Sequence, residues 1–184
     1  MDFKQYFLYQ ADYQHWANDL MFNALDRLDD EARKGKQQLY FSCIHDSVDH
    51  LAFFHHKWLT RLKGDSPSVK YTDTLHADWR ELKNVLRHET RELQRWLEQQ
   101  TQSFFDTLLH YRRTEGQEEK SIWARDCLTH IFTYASLERG HITAIAATLG
   151  APLPDMSYYA YRREMGEHVE NIRKMAASEP SAEK

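Results

Sequence analysis

Apolar residues recur along most of this chain at the spacing of amphipathic helices. Between residues 3 and 28 they fall at Phe3, Phe7, Leu8, Ala11, Trp16, Leu20, Phe22, Leu25 and Leu28, until Gly35 and its charged neighbours interrupt. A second run goes from about Tyr40 to Leu62 through Phe41, Ile44, Val48, Leu51, Ala52, Trp58 and Leu59. Gly64-Asp65-Ser66-Pro67 stops it. A third helix is expected from a cap at Thr74 or Asp73 to about Gln102, with Leu75, Trp79, Leu82, Leu86, Leu93, Trp96 and Leu97 inward and an Arg/Glu-rich outer face. Residues 104–122 lose the helical period, and Glu115-Gly116 near their middle suits a short hairpin. A fourth long helix is expected from about Ile122 to Leu149, closed by Gly150 with Pro152 and Pro154 beyond. Residues 155–176 form a more polar helical segment.

Four long amphipathic helices with mostly short joints predict an all-α fold, a four-helix bundle. A short irregular or hairpin segment precedes helix 4, and a C-terminal helical extension follows it. The whole is expected to be one domain over 1–176, with a frayed tail at 177–184. Trp16, Leu51, Trp58, Leu82, Phe132 and Ile145 are expected in or near the core. Bundle cores are also where facing helices place several ligands against one ion.

Composition narrows the function classes. Hydrophobic residues make up 41% of the 184, enough for a real core, and only 6 Gly and 4 Pro suit a helical chain. The net charge is −4 with no basic stripe, so nucleic acid is not an expected partner. No apolar run approaches ~18 residues, and no secretory leader pattern opens the chain, so a cytoplasmic protein without a membrane partner is expected. Cys43 and Cys127 cannot make a disulfide framework and read as buried small residues. Gly-rich phosphate loops, GxSxG and CxxC motifs are absent from the sequence.

What chemistry there is rests on histidine. In THIFTYASLERGHITAIAATLG, residues His130, Tyr134, Glu138 and His141 stay within an arc of roughly 80° on one helix. Each of these side chains can ligate a metal or move a proton, where a buried seam ordinarily carries Leu or Ile. On the second helix, His50 lies among Val48, Leu51 and Trp58, while His45, His55 and His56 read as peripheral. Taken alone, His50 reads as a hydrogen-bonded core imidazole and the seam as a polar network, with Arg139 able to neutralise Glu138. If the two faces meet, mixed N/O ligands suit Zn, Ni, Fe or Mn.

Over roughly residues 5–165 the chain resembles the DinB-like (DinB/YfiT) superfamily. YQHWANDLMFNAL is similar to the family's Y-x-x-W-A-N opening. FSCIHDSVDHLAFFHHKWLTRLKG is similar to its second-helix S-I-x-x-x-x-x-H-L run, with Trp58 eight residues after His50. LTHIFTYASLERGHITAIAATLGAPLPDMSYYAYRRE resembles its L-x-H-L-F-N-H-x-x-x-H-R-G-Q run, terminal Gly and closing D-x-x-x-Y-x-R-E.

The resemblance implies a four-helix bundle, often a homodimer, and in many members one divalent metal, commonly Zn or Ni, on three histidines. The matching positions here are His50, Tyr134 and Glu138, so the triad reads His-Tyr-Glu. His141 replaces the family's Gln one turn from Glu138 and is a candidate substitute ligand, while His130 matches a family His outside the triad. Two readings follow. One is a degenerate member with weak or no metal binding and a stress-linked scaffold or binding role. The other is a divalent-metal-dependent enzyme, thiol-transferase- or hydrolase-like, acting on a small molecule or thiol held at an open coordination position.

Overall fold

The computed structural model describes residues 2–37, 40–67, 70–71, 74–113 and 118–178, with side chains to residue 169. The chain divides into two compact units, Met1–Leu153 and Pro154–Lys184.

The first unit is built on four long helices: α1 (Phe3–Leu25), α3 (Ile44–Leu62), α4 (Trp79–Glu98) and α5 (Ala124–Thr148). A short helix, α2 (Asp30–Lys34), joins α1 to α3 and was not legible in the hydrophobic pattern. Helices α1 and α3 each pack against both α4 and α5. Asp2 starts α1 by accepting a hydrogen bond from the Gln5 amide at 2.8 Å. α5 ends in a Schellman arrangement: the amides of Ala151 and Gly150 donate to the carbonyls of Ala146 and Ala147. Gly150 sits at φ +84°, where a side chain would be strained.

Between α4 and α5 a 3-10 turn (Gln102–Asp106) leads into an antiparallel pair, β1 (Leu108–Arg112) and β2 (Glu119–Trp123), in register Leu108↔Trp123 to Arg112↔Glu119. The expected hairpin is therefore present, with its strands set along 108–123. Leu109, Tyr111 and Ile122 turn onto the core and their neighbours face out. The expected turn at Glu115-Gly116 lies outside the described residues.

One boundary moved. The third long helix starts at Trp79 behind an Asp78 cap that accepts from the Glu81 amide at 2.8 Å, not at Thr74. Asp73, the other expected cap, lies outside the described residues. The segment before Trp79 is held on α3 instead: Asp49 takes the amides of Leu75 and His76, and Thr74 donates to Asp46.

The core centres on Phe7, Phe54, Trp58, Leu93, Leu97, Phe105, Leu128, Ile131 and Phe132. Phe7 stacks on Phe105 at 5.6 Å and on Phe132 at 6.0 Å between ring centroids. Leu51 and Leu82 are buried as expected, whereas Trp16 and Ile145 are half-buried. Cys43 and Cys127 are both buried free thiols, and burial pushes them to about 11 and about 12, which leaves them inert as nucleophiles at neutral pH.

The second unit holds α6 (Tyr158–Ser178). Ser157 caps it by accepting from the Ala160 amide at 3.1 Å, and Asp155 in turn accepts from the Ser157 amide at 2.8 Å. The expected frayed tail lies outside the described residues from residue 179 onward. No helix among the described residues is long and apolar enough to cross a membrane.

Candidate functional site

Helices α3 and α5 pack side by side, and their contact brings His50 to Tyr134. The two rings meet edge to face, with centroids 6.2 Å apart. One turn further along α3, Phe54 stacks on Tyr134 at 4.3 Å. His130 completes this aromatic wall, 5.7 Å from Tyr134 and 4.9 Å from Trp58. On the other side of His50, Phe41 lies nearly parallel to the imidazole at 3.9 Å and Tyr71 meets it at 5.1 Å. The residue after Phe41 turns the chain into α3 through Ser42, which adopts φ +67°.

Glu138 is buried one turn beyond Tyr134 on α5. Burial, then the charge and hydrogen bond of Glu138, push the Tyr134 hydroxyl well above the ordinary phenol range. The Tyr134 phenol therefore keeps its proton at neutral pH, beside the Glu138 carboxyl group. His50 is 9% exposed, and burial, reinforced by the Lys57 cation, lowers it to about 4 against a weaker opposing pull from Asp49. It is a neutral imidazole at pH 7, and its Nδ1 is buried without a hydrogen-bond partner.

His141 is placed differently. It lies on the exposed face of α5, while Glu138 three residues earlier is buried. Arg139 also departs from its expected role. It is 1% exposed and turns to α1, where Nη1 donates to Gln14 Oε1 at 2.6 Å and Asn18 Oδ1 at 3.1 Å. Among the described residues no ion pair joins it to Glu138.

The donor set does not fit a resident three-ligand zinc or nickel centre. A neutral imidazole nitrogen and a carboxyl group are present, but the Tyr134 phenol, pushed above its ordinary range, keeps its proton, and His141 is exposed. Among the described residues no three His, Cys, Asp or Glu side chains gather to hold an ion. The arrangement can instead donate and accept hydrogen bonds in an aromatic-walled seam.

Sequence reasoning misplaced two histidines of α3. His45 and His55 are 1% and 2% exposed, not peripheral. His45 Nε2 meets the His76 carbonyl at 2.7 Å, while neither ring nitrogen of His55 has a partner.

No curated protein matches the chain. Its fold is similar to the crystal structure of a DinB-like protein from Bacillus subtilis, with TM-score 0.58 and 14% identity over 80% of this chain and 97% of that one. That likeness establishes the mostly helical fold. The DinB family model matches residues 2–174, nearly the full chain, and the protein belongs to the DinB family.

Proposed function

We propose that this protein is a DinB-family four-helix bundle whose metal position has become a polar, aromatic-walled seam, and that it works as a binding or scaffold protein rather than as a metal-dependent catalyst. The observation that carries the reading is the Tyr134–Glu138 pair. At the positions where the family's metal histidines stand, a protonated phenol lies beside a carboxyl group and a neutral His50. A metal would have to displace that proton before the phenol could bind well, which lowers affinity at neutral pH.

The seam suits a small polar molecule. Tyr134 offers a hydroxyl, Glu138 an acceptor, and His50 one donor and one acceptor nitrogen. A homodimer, a cytoplasmic location and a stress-linked role go with this reading, supported by family membership alone.

The test is titration calorimetry of tag-free protein with Zn and with Ni. Wild type is expected to bind weakly. Tyr134→His restores a second imidazole and should tighten binding by at least about 10-fold, and adding Glu138→His should tighten it further, since three neutral imidazoles with an open position suit zinc. Tight stoichiometric binding by wild type that Tyr134→His weakens would overturn the reading. The divalent-metal enzyme, with a thiol or other small substrate, would then stand in its place.

A further inference from the structure

Among the described residues, the core holds a cation without a counter-charge. Arg139 on α5 is fully desolvated at 1% exposure, yet its hydrogen-bond partners are the side-chain oxygens of Gln14, Asn18, Ser136 and Tyr13, none of them a carboxylate. Its guanidinium also lies 5.5 Å over the Tyr13 ring. No carboxylate of the described residues pairs with it. Taking a guanidinium out of water without a negative partner is costly, and buried charges are as a rule paired.

The groups around it share a second oddity. A guanidinium only donates, so Gln14 and Asn18 must turn their carbonyl oxygens to it. Their amide nitrogens are thereby left over, and both Gln14 Nε2 and Asn18 Nδ2 are buried with no partner. These residues stand one turn apart on one face of α1 and bond the same Nη1. From α3, His55 adds a ring 2% exposed with Nδ1 and Nε2 both unpartnered, one of which must be an N–H. The charges that act on His55 are those of Arg139 and of His15, whose own nitrogens are engaged by Gln94 and Thr90. The surplus is therefore mainly of donors: a positive charge from α5, two amide nitrogens from α1 and one imidazole N–H from α3, against a single imidazole lone pair.

We propose that a small monovalent anion of chloride size is seated among Arg139, Gln14, Asn18 and His55 as a built-in structural counter-ion. Size follows from burial: each of the four residues is at most 2% exposed, which leaves no mouth for a phosphate ester or an organic acid. The anion neutralises the guanidinium and accepts from the orphaned amide and imidazole N–H groups. It ties α1, α3 and α5 together.

The test is thermal unfolding of the full chain at constant ionic strength while sodium gluconate is replaced by sodium chloride or bromide. The expected result is a saturable rise in Tm of roughly 3–6 °C at 0.2 M halide, as for a ligand that binds only the folded state at millimolar affinity. A general salt effect would instead be linear and would rank the anions differently. Arg139→Met should abolish the halide dependence. Should that variant fail to fold, bromide-soaked crystals of wild type decide the matter, with an anomalous peak expected beside the Arg139 guanidinium. A linear or absent halide response in wild type, or bromide found only at the surface, would overturn the proposal.

Discussion

The carboxylate of Asp49, wholly buried on α3, accepts from His76 Nδ1 at 2.7 Å and at the same time from the amides of Leu75 and His76 and the hydroxyl of Tyr71. One side chain thus clasps the approach to α4 onto α3. Asp49→Ala leaves those donors without their charged acceptor, and a cost of about 2–4 kcal/mol in chemical denaturation is expected. Asp49→Asn keeps the shape but loses the charge and one acceptor oxygen, so an intermediate cost is expected. Equal stability of all three proteins would show that the clasp is incidental.

Acid should destabilise this protein through His55. Burial, and then the charges of Arg139 and His15, lower His55 to about 3 in the fold. In the unfolded chain it titrates near ~6.5. Between these values the unfolded state binds more protons, so stability rises with pH. The full contribution is present above ~6.5 and is lost progressively as pH falls toward about 3. From pH 6.5 to 5 the loss is about 1.6 kcal/mol, the slope growing from about half of ~1.4 kcal/mol per pH unit toward the full value. Urea unfolding in chloride-free buffer at both pH values checks this. His55→Leu should flatten the difference by about that amount, and an unchanged pH slope in the variant would refute the assignment.

Much of the fold was legible from spacing. The first long helix was expected over 3–28 and spans Phe3–Leu25; the last, from about Ile122 to Leu149, spans Ala124–Thr148. Gly150 closes it as its sequence signal indicated. The failures have separate causes. α3 packs against α2, α4, α5 and β1, so it is buried nearly all round, and a one-face reading misplaced His45 and His55. The Asp78-x-x-Glu81 capping pattern was present in the sequence, but Thr74 stood nearer the apolar run and in fact bonds Asp46. At the site, spacing put Tyr134 and Glu138 one turn apart on α5 but left open whether His50 meets them; in the fold the His50 and Tyr134 rings meet edge to face. It could not reveal that Arg139 reaches Gln14 and Asn18, because an Arg beside a Glu in sequence reads as a local ion pair.

Core truncation should be felt across the first unit. Phe132 is 4% exposed and stacks with Phe7, whose ring also meets Phe105. Phe132→Ala is expected to cost about 3–5 kcal/mol. Thermal melting should show a fall of roughly 6–20 °C for a chain of this size. A variant that melts with wild type would mean the Phe7–Phe105–Phe132 stack contributes little.

Phe41 should control how wet His50 is. Its ring covers the imidazole at 3.9 Å, and the chief cause holding His50 near about 4 is desolvation. Phe41→Ala removes that cover while leaving Lys57 and Asp49, the two charges that act on His50, in place. Water entry should then raise the His50 pKa toward the ordinary ~6.5. The sign of the stability effect follows: with the folded and unfolded values closer together, His50 makes a smaller contribution to acid sensitivity in the variant than in wild type. Titration of the imidazole C–H resonances by NMR reads the shift directly, with Tyr134→Phe as a comparison that leaves the Phe41 ring in place. A companion change separates cover from backbone. Ser42 holds φ +67° immediately after Phe41, and Ser42→Gly relieves up to ~1 kcal/mol of left-handed strain without removing the ring. That variant should therefore keep a depressed His50. A Phe41→Ala protein whose His50 still titrates near 4 would show that α3 and α5, rather than the ring of Phe41, keep water from the imidazole.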